Sequence, residues 1–259
     1  MALSLAERSA VDSSVVFIGP SGSGKETVSN LAAILLGKHS LNTGQSTRCV
    51  ADRAHEERII EDIGENKVRF RRGGADRVRR WLSAGDDGIH FGLDESSGAS
   101  ADIFFGREKM TERIHPKFRR QKRLVNLEPA AAMIATDPSI RPLFNDLWRH
   151  TVFMLGGGPI VAKRSDQFIP EVHKIVVFSA DDALSAGYRL WRGVAACDSF
   201  ADELEYIRWR NALHVKNKLE VVPSGALRIV MNPYRLFYTA GIEEVAREVL
   251  AYMAATDVV

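Results

Sequence analysis

The chain has 259 residues, of which 45% are hydrophobic and 26% are charged, and its formal net charge at pH 7 is only +2. These values are ordinary for a globular protein, and such a small net charge indicates no particular class of partner. Two cysteines, Cys49 and Cys197, are too few for a disulfide framework. Since the sequence has no signal-peptide pattern and no apolar run long enough to span a bilayer, we expect a soluble cytoplasmic protein.

The first predicted elements form a phosphate-binding loop. The β-branched and aromatic run SVVFI at 14–18 predicts a buried strand that ends at Gly19. Residues 19–27, GPSGSGKET, then follow with the Gly-x-x-x-x-Gly-Lys spacing of a P-loop. From Thr27 the apolar residues recur at helical spacing until Gly37. Strand, glycine loop and helix in this order predict a nucleotide-phosphate site.

The chemistry of such a loop assigns roles to its residues. Backbone N–H groups surround the phosphates at the positive end of the helix, so we predict that ATP binds here with Lys25 reaching its β- and γ-phosphates. Glu26 replaces the hydroxyl that normally follows the lysine, and we expect it to face away from the triphosphate. Thr27 is then the predicted Mg²⁺ ligand. The predicted cofactor-binding residues are Gly19, Ser21, Gly22, Ser23, Gly24, Lys25 and Thr27.

The later segments predict the rest of the fold. Residues 65–125 are basic and glycine-rich, with short alternating pieces such as GIHFGL and ADIFFG, which predict a small insertion with its own strands. Near-continuous apolar runs at 151–159, 174–180 and 227–232 predict three more buried strands. With 14–18 they indicate an α/β fold whose parallel sheet is flanked by helices. The spacing of apolar residues from Ile242 to Met253 predicts a final amphipathic helix.

Several further segments resemble bacterial-type cytidylate kinases, in the same order along the chain. They include LNTGQSTRCVADRA at 41–54, the strand-rich stretch 89–117, AAAMIATDPSIRPLFNDLWR at 130–149, and the segments 157–182 and 200–211. The resemblance implies a P-loop kinase core at 1–54 and 127–259, an acceptor-binding insertion at 55–126 and a short lid near 187–200. It also implies transfer of the γ-phosphoryl group of ATP to a nucleoside monophosphate.

The resemblance further implies roles for individual side chains. Arg189 and Arg192 correspond to catalytic lid arginines, which would act beside Lys25. Guanidinium groups suit a phosphate because they donate several hydrogen bonds in a fixed plane. The implied acceptor-binding residues are Thr43, Arg48, Arg141, Arg164, Asp166 and Arg210.

The chain differs from this family mainly at the residues with which the family recognises its acceptor. Asn42 replaces an aspartate, Thr47 a tyrosine and Ala132 a serine that recognises cytosine. Phosphate-binding residues are mostly retained, whereas residues that read base and sugar are mostly changed. We therefore expect a nucleoside monophosphate or a related small phosphorylated acceptor, with a specificity shifted by the changed polar groups, and the sequence leaves open whether that acceptor is CMP, dCMP or another compound.

Two other functions remain open at this point. A regulator of the same fold could bind the nucleotide without transferring phosphate. The arginine-rich segments 69–80 and 117–123 could alternatively bind nucleic acid. They carry few interleaved aromatic residues, so a solvated face or a surface that steers anionic substrates is the favoured interpretation.

Overall fold

The computed structural model describes residues 4–64, 67–93, 98–111, 127–161, 172, 174–193, 195, 197–216 and 225–255. The chain forms two compact units, the first comprising 1–42, 98–100 and 152–259, and the second 43–97 and 101–151. The second unit therefore includes 43–54 and 127–151, which the resemblance to cytidylate kinases assigns to the core. No helix in the described ranges is both long and apolar enough to cross a membrane.

Short strands and helices alternate along the described residues. The strands are β1 Val15–Ile18, β2 Leu41–Asn42, β3 Ile60–Gly64, β4 Lys67–Phe70, β5 Ile89–Gly92, β6 Asp102–Phe105, β7 Glu108–Lys109, β8 Pro159–Val161, β9 Ile175–Ser179 and β10 Leu227–Val230. The helices are α1 Leu5–Asp12, α2 Lys25–Leu36, α3 Thr43–Glu56, α4 Gly74–Ser83, α5 Leu127–Thr136, α6 Arg141–Met154, α7 Asp182–Trp191, α8 Phe200–Lys216, α9 Pro233–Phe237 and α10 Thr239–Ala255.

The first unit is built on a five-stranded sheet in the order β10-β9-β1-β8-β2, in which every neighbouring pair is parallel. β1 lies at the centre, where Val16 pairs with Ile160 on one side and Ile175 on the other. All four residues of β1 are buried, as expected for a strand covered on both faces. The predicted α/β class, a parallel sheet flanked by helices, is confirmed.

An apolar core holds the start of α2 against this sheet. Phe17 of β1 and Phe178 of β9 stack with ring centroids 5.6 Å apart. Val28 of α2 and Val249 of α10 are fully buried in the same cluster. Because burial of large side chains is the main stabilising term in folding, this core fixes the loop that joins β1 to α2.

The predicted strand at 151–159 is wrong over most of its length. α6 continues to Met154, and only Pro159–Val161 forms a strand. Ile140, Phe144, Trp148 and Val152 are all buried, at intervals of four residues. This helical period outweighs the β-branched and aromatic character of the segment, because side-chain burial decides between the two conformations.

The second unit contains short strands, as predicted for the insertion, and their pairing is antiparallel. β3 pairs with β4, and β5, β6 and β7 form a three-stranded sheet that includes most of GIHFGL and ADIFFG. In α4, Val78, Trp81 and Leu82 are buried, whereas the arginines of this helix are exposed.

The arginine-rich segment 69–80 is a solvated face. Its six arginines are exposed, and four of them form ion pairs with acidic residues of the same unit. Such pairing reduces the positive potential that a nucleic-acid site needs. The second arginine-rich segment, 117–123, lies outside the described residues.

Candidate phosphate-binding site

The loop between β1 and α2 has the backbone of a tight glycine turn. Gly22 has a φ of 80° and Gly24 a φ of 75°, in the left-handed region that favours glycine. A Cβ on Gly22 would lie 2.8 Å from the carbonyl oxygen of Ser185, which belongs to α7. The two glycines therefore allow the loop to pack directly against its neighbours.

Two side chains of the loop are bonded to the same carbonyl group. Ser23 Oγ donates to the oxygen of Pro20 at 2.9 Å, and Lys25 Nζ donates to that oxygen at 2.8 Å. Lys25 is the first residue of α2, and its side chain folds back over the loop. Its ammonium group therefore lies beside the helix N-terminus, where the backbone also favours an anion.

Both predicted lid arginines contact this loop. Arg189 lies in the last turn of α7, which follows β9 and has Asp181 as its N-cap, and Arg192 is the C-cap residue of the same helix. Arg189 Nη1 donates to Ser21 Oγ at 3.1 Å, and Arg192 Nη1 donates to Thr27 Oγ1 at 3.1 Å. The structure thus brings Lys25, Arg189 and Arg192 together around residues 20–27.

The surroundings of Thr27 are cationic and aromatic. Besides Arg192, its hydroxyl oxygen lies 2.9 Å from the hydroxyl of Tyr188. A guanidinium group this close disfavours a second cation at the same oxygen. The geometry therefore offers less support for Thr27 as the Mg²⁺ ligand than for Thr27 as a phosphate contact.

Glu203 is a residue that sequence reasoning missed. It lies in the first turn of α8 with no exposed surface. Its Oε1 accepts from Arg189 Nε at 2.5 Å, and its Oε2 accepts from the backbone N–H of Cys197 at 2.9 Å. A buried carboxylate needs such partners. The sequence pattern does not distinguish Glu203, which is buried, from Glu205 of the same helix, which is exposed.

Glu203→Gln is expected to lower the free energy of unfolding by about 2 kcal/mol, because the largely buried guanidinium of Arg189 loses its counter-charge. Chemical denaturation followed by circular dichroism measures this loss. Glu205→Gln, an exposed glutamate of the same helix, is the matched control and should change stability little. Equal stability of the two variants would contradict the role given to Glu203.

Cys197 is next to this ion pair, which influences the pKa of its thiol. Burial, and then the carboxylates of Glu203 and Asp202, raise the pKa of Cys197 above its usual range, while Arg189 opposes them. A raised pKa leaves less thiolate at a given pH, and thiolate is the nucleophile.

We expect iodoacetamide to alkylate Cys197 more slowly at pH 8 than it alkylates a cysteine in a short peptide. The pH midpoint of the alkylation rate should also lie higher, and Glu203→Gln should bring it down. Peptide mass mapping separates Cys197 from Cys49, which is fully buried. A midpoint at or below that of the peptide would disprove the assigned environment.

The predicted acceptor residues that the structure describes lie in the second unit and have protein partners there. Thr43 is buried at the start of α3 and accepts a hydrogen bond from Ser46 at its backbone oxygen. Arg48 Nε forms a largely buried ion pair with Glu128 Oε1 at 2.7 Å.

Arg141, at the start of α6, is also engaged within the second unit. Its Nε and Nη1 donate to Asn145 Oδ1 and to the backbone oxygen of Ala135, each at 3.3 Å. Burial lowers the pKa of the Arg141 guanidinium. These two bonds are long, so an anionic ligand could replace them at little cost.

Three further predicted residues have no described side chain. Arg164 and Asp166 lie outside the described residues. Arg210 belongs to α8, but its side chain is not among those that the structure describes. Their assignment to the acceptor site stays a prediction.

Comparison with known proteins does not assign a family. No family model matches the sequence, and no curated protein matches it. Among solved structures, the crystal structure of TT1252 from Thermus thermophilus is similar over 92% of this chain and 97% of that chain, with 12% identity and a TM-score of 0.42. The resemblance to cytidylate kinases therefore stays a prediction from the sequence.

Proposed function

We propose that this protein is an ATP-dependent phosphotransferase that acts on a nucleoside monophosphate or a related small phosphorylated acceptor. One observation carries the proposal: Lys25, Arg189 and Arg192 lie around a single glycine loop at the start of α2. Three cationic side chains next to a helix N-terminus form a strong site for the phosphates of a nucleotide.

Phosphoryl transfer requires mainly that a protein positions the reactants and places positive charges around them. The transition state spreads negative charge over the oxygens of the transferred group, so positioned positive charges supply most of the catalysis. Lys25 and Arg192 have hydrogen-bonding groups at the loop itself, and Glu203 holds Arg189 in place. Mg²⁺, when bound with the nucleotide, would neutralise part of the phosphate charge.

The altered residues of the second unit support a proposal about the kind of acceptor. Thr47 Oγ1 donates to the backbone oxygen of Gly44, and Ala132 has no polar group to offer a base. Arg48 and Arg141 keep guanidinium groups that suit a phosphate. We therefore propose an acceptor recognised mainly through its phosphate, with base and sugar contacts unlike those of cytidylate kinases.

The direct test is release of ADP by the purified protein with Mg-ATP and one of CMP, dCMP, UMP, AMP, GMP or a panel of sugar phosphates. We expect turnover that depends on one acceptor and is lost in Lys25→Ala. Absence of turnover with every acceptor, despite measurable ATP binding, would contradict the transferase proposal.

One observation favours a second candidate, a regulatory protein that binds nucleotide without transferring phosphate. Arg48 forms a largely buried ion pair with Glu128, whereas in a transferase of this kind the corresponding arginine would bind the acceptor. This candidate predicts that ATP binding is unaffected by acceptors and that ATP is recovered unchanged. The same ADP assay, with binding measured by calorimetry, distinguishes the two.

A further inference from the structure

We propose that the carboxylate of Glu26, oriented by Asn42, is the divalent-cation ligand of the glycine loop, and that it makes nucleotide binding depend on the metal. This proposal rests on the proposed binding of ATP. It gives the unusual glutamate of the loop a role and moves the cation away from Thr27.

Glu26 has the position and the partner that such a role needs. It directly follows Lys25, at the place where P-loop proteins carry the hydroxyl that holds Mg²⁺. Its Oε1 accepts from Asn42 Nδ2 at 2.9 Å. Asn42 is the buried last residue of β2, so the amide that orients the carboxylate is fixed at the carboxyl edge of the sheet.

The two neighbouring side chains of α2 lie in opposite electrostatic surroundings. Successive residues of a helix project about 100° apart. Thr27 accordingly contacts Tyr188 and Arg192, whereas Glu26 contacts Asn42 of β2. The positive charge of Arg192 lies 3.1 Å from the Thr27 oxygen. A divalent cation is therefore favoured on the β2 side of the loop.

The chemistry of the pair matches Mg²⁺. This ion prefers carboxylate and amide oxygens, retains several waters, and is commonly held by one or two protein ligands together with substrate phosphates. Glu26 is exposed, which leaves room for those waters. The described ranges contain no group of three or more His, Cys, Asp or Glu side chains that could hold a metal alone. The phosphates of the nucleotide would complete the coordination.

The same carboxylate has the opposite effect on a nucleotide without metal. A negative charge beside the loop repels an uncompensated triphosphate, and a bound cation converts this repulsion into attraction. Glu26 would therefore select the metal complex of the nucleotide over the free nucleotide, which a neutral threonine or serine does less strongly.

The test compares ATP binding by calorimetry in Mg²⁺ and in excess EDTA, for the wild type and Glu26→Gln. We expect the variant to bind Mg-ATP more weakly and metal-free ATP more tightly, so that the preference for Mg-ATP falls about tenfold. Asn42→Ala should lower the preference by a smaller factor, because the carboxylate loses its orienting partner but keeps its charge.

The matched control is Glu243→Gln, a half-exposed glutamate of α10, which should leave both affinities unchanged. Thermal unfolding without nucleotide should differ little between wild type and Glu26→Gln, because the glutamine amide oxygen can still accept from Asn42 Nδ2. A Glu26→Gln variant that changes both affinities by one common factor, or neither, would overturn the proposal.

Failure of this proposal is distinct from failure of the proposed function. If the wild type binds no ATP in either condition, the proposed nucleotide site is rejected, and the proposed role of Glu26 is rejected with it. If the wild type binds Mg-ATP and the Lys25→Ala variant does not, the proposed nucleotide site is supported. In that case, an unchanged metal preference in Glu26→Gln rejects the role of Glu26 alone.

Discussion

Lys25→Ala is expected to reduce ATP-dependent phosphoryl transfer by about 10²–10³-fold, the usual cost of removing one preorganised positive group from such a site. The Lys25 ammonium donates to the oxygen of Pro20 at 2.8 Å and so lies beside the loop before any phosphate arrives. Steady-state release of ADP measures the loss. The fold should be retained, because the side chain is only partly buried.

Lys38→Ala provides a matched control for Lys25. Lys38 follows α2, and its Nζ also donates to a backbone oxygen, that of Gly156, at 2.8 Å. Its removal should affect stability slightly and leave transfer unchanged. Activity of Lys25→Ala within tenfold of the wild type would reject the glycine loop as the phosphate site.

Gly22→Ala is expected to weaken ATP binding about a hundredfold and to lower the free energy of unfolding by about 2–3 kcal/mol. The φ of 80° at this position is strained for alanine. In addition, the new Cβ would lie 2.8 Å from the carbonyl oxygen of Ser185, and backbone atoms of α7 cannot move aside cheaply. The loop would have to shift relative to Arg189 and Arg192.

The control for Gly22 is Gly37→Ala at the other end of α2. Gly37 has a φ of 62°, but nothing lies within 4 Å of a Cβ built there. This variant should therefore show the backbone strain alone, about 1 kcal/mol, with normal ATP affinity. Calorimetry and chemical denaturation on both variants separate strain from steric displacement. Equal ATP affinities in the two variants would contradict the packing argument.

The loop illustrates what local sequence determines. The apolar run at 14–18, the glycine spacing and the period after Thr27 predict β1, the turn and α2, because each depends on interactions between near neighbours in the chain. The parallel sheet follows from the buried apolar runs at 174–180 and 227–232. At 151–159 the same reasoning is wrong, because burial of Ile140, Phe144, Trp148 and Val152 favours a continuing helix.

The sequence by itself determined the identity and order of the loop residues and the α/β class. Only the tertiary structure decided which side chains meet. Glu203, 14 residues after Arg189, becomes its buried partner, and Asn42, 16 residues after Glu26, orients that carboxylate. Such contacts depend on how β2, α2, α7 and α8 pack within the first unit. Local propensity does not predict this packing, because the packing is stabilised by burial and by electrostatic pairing between segments that are distant in the sequence.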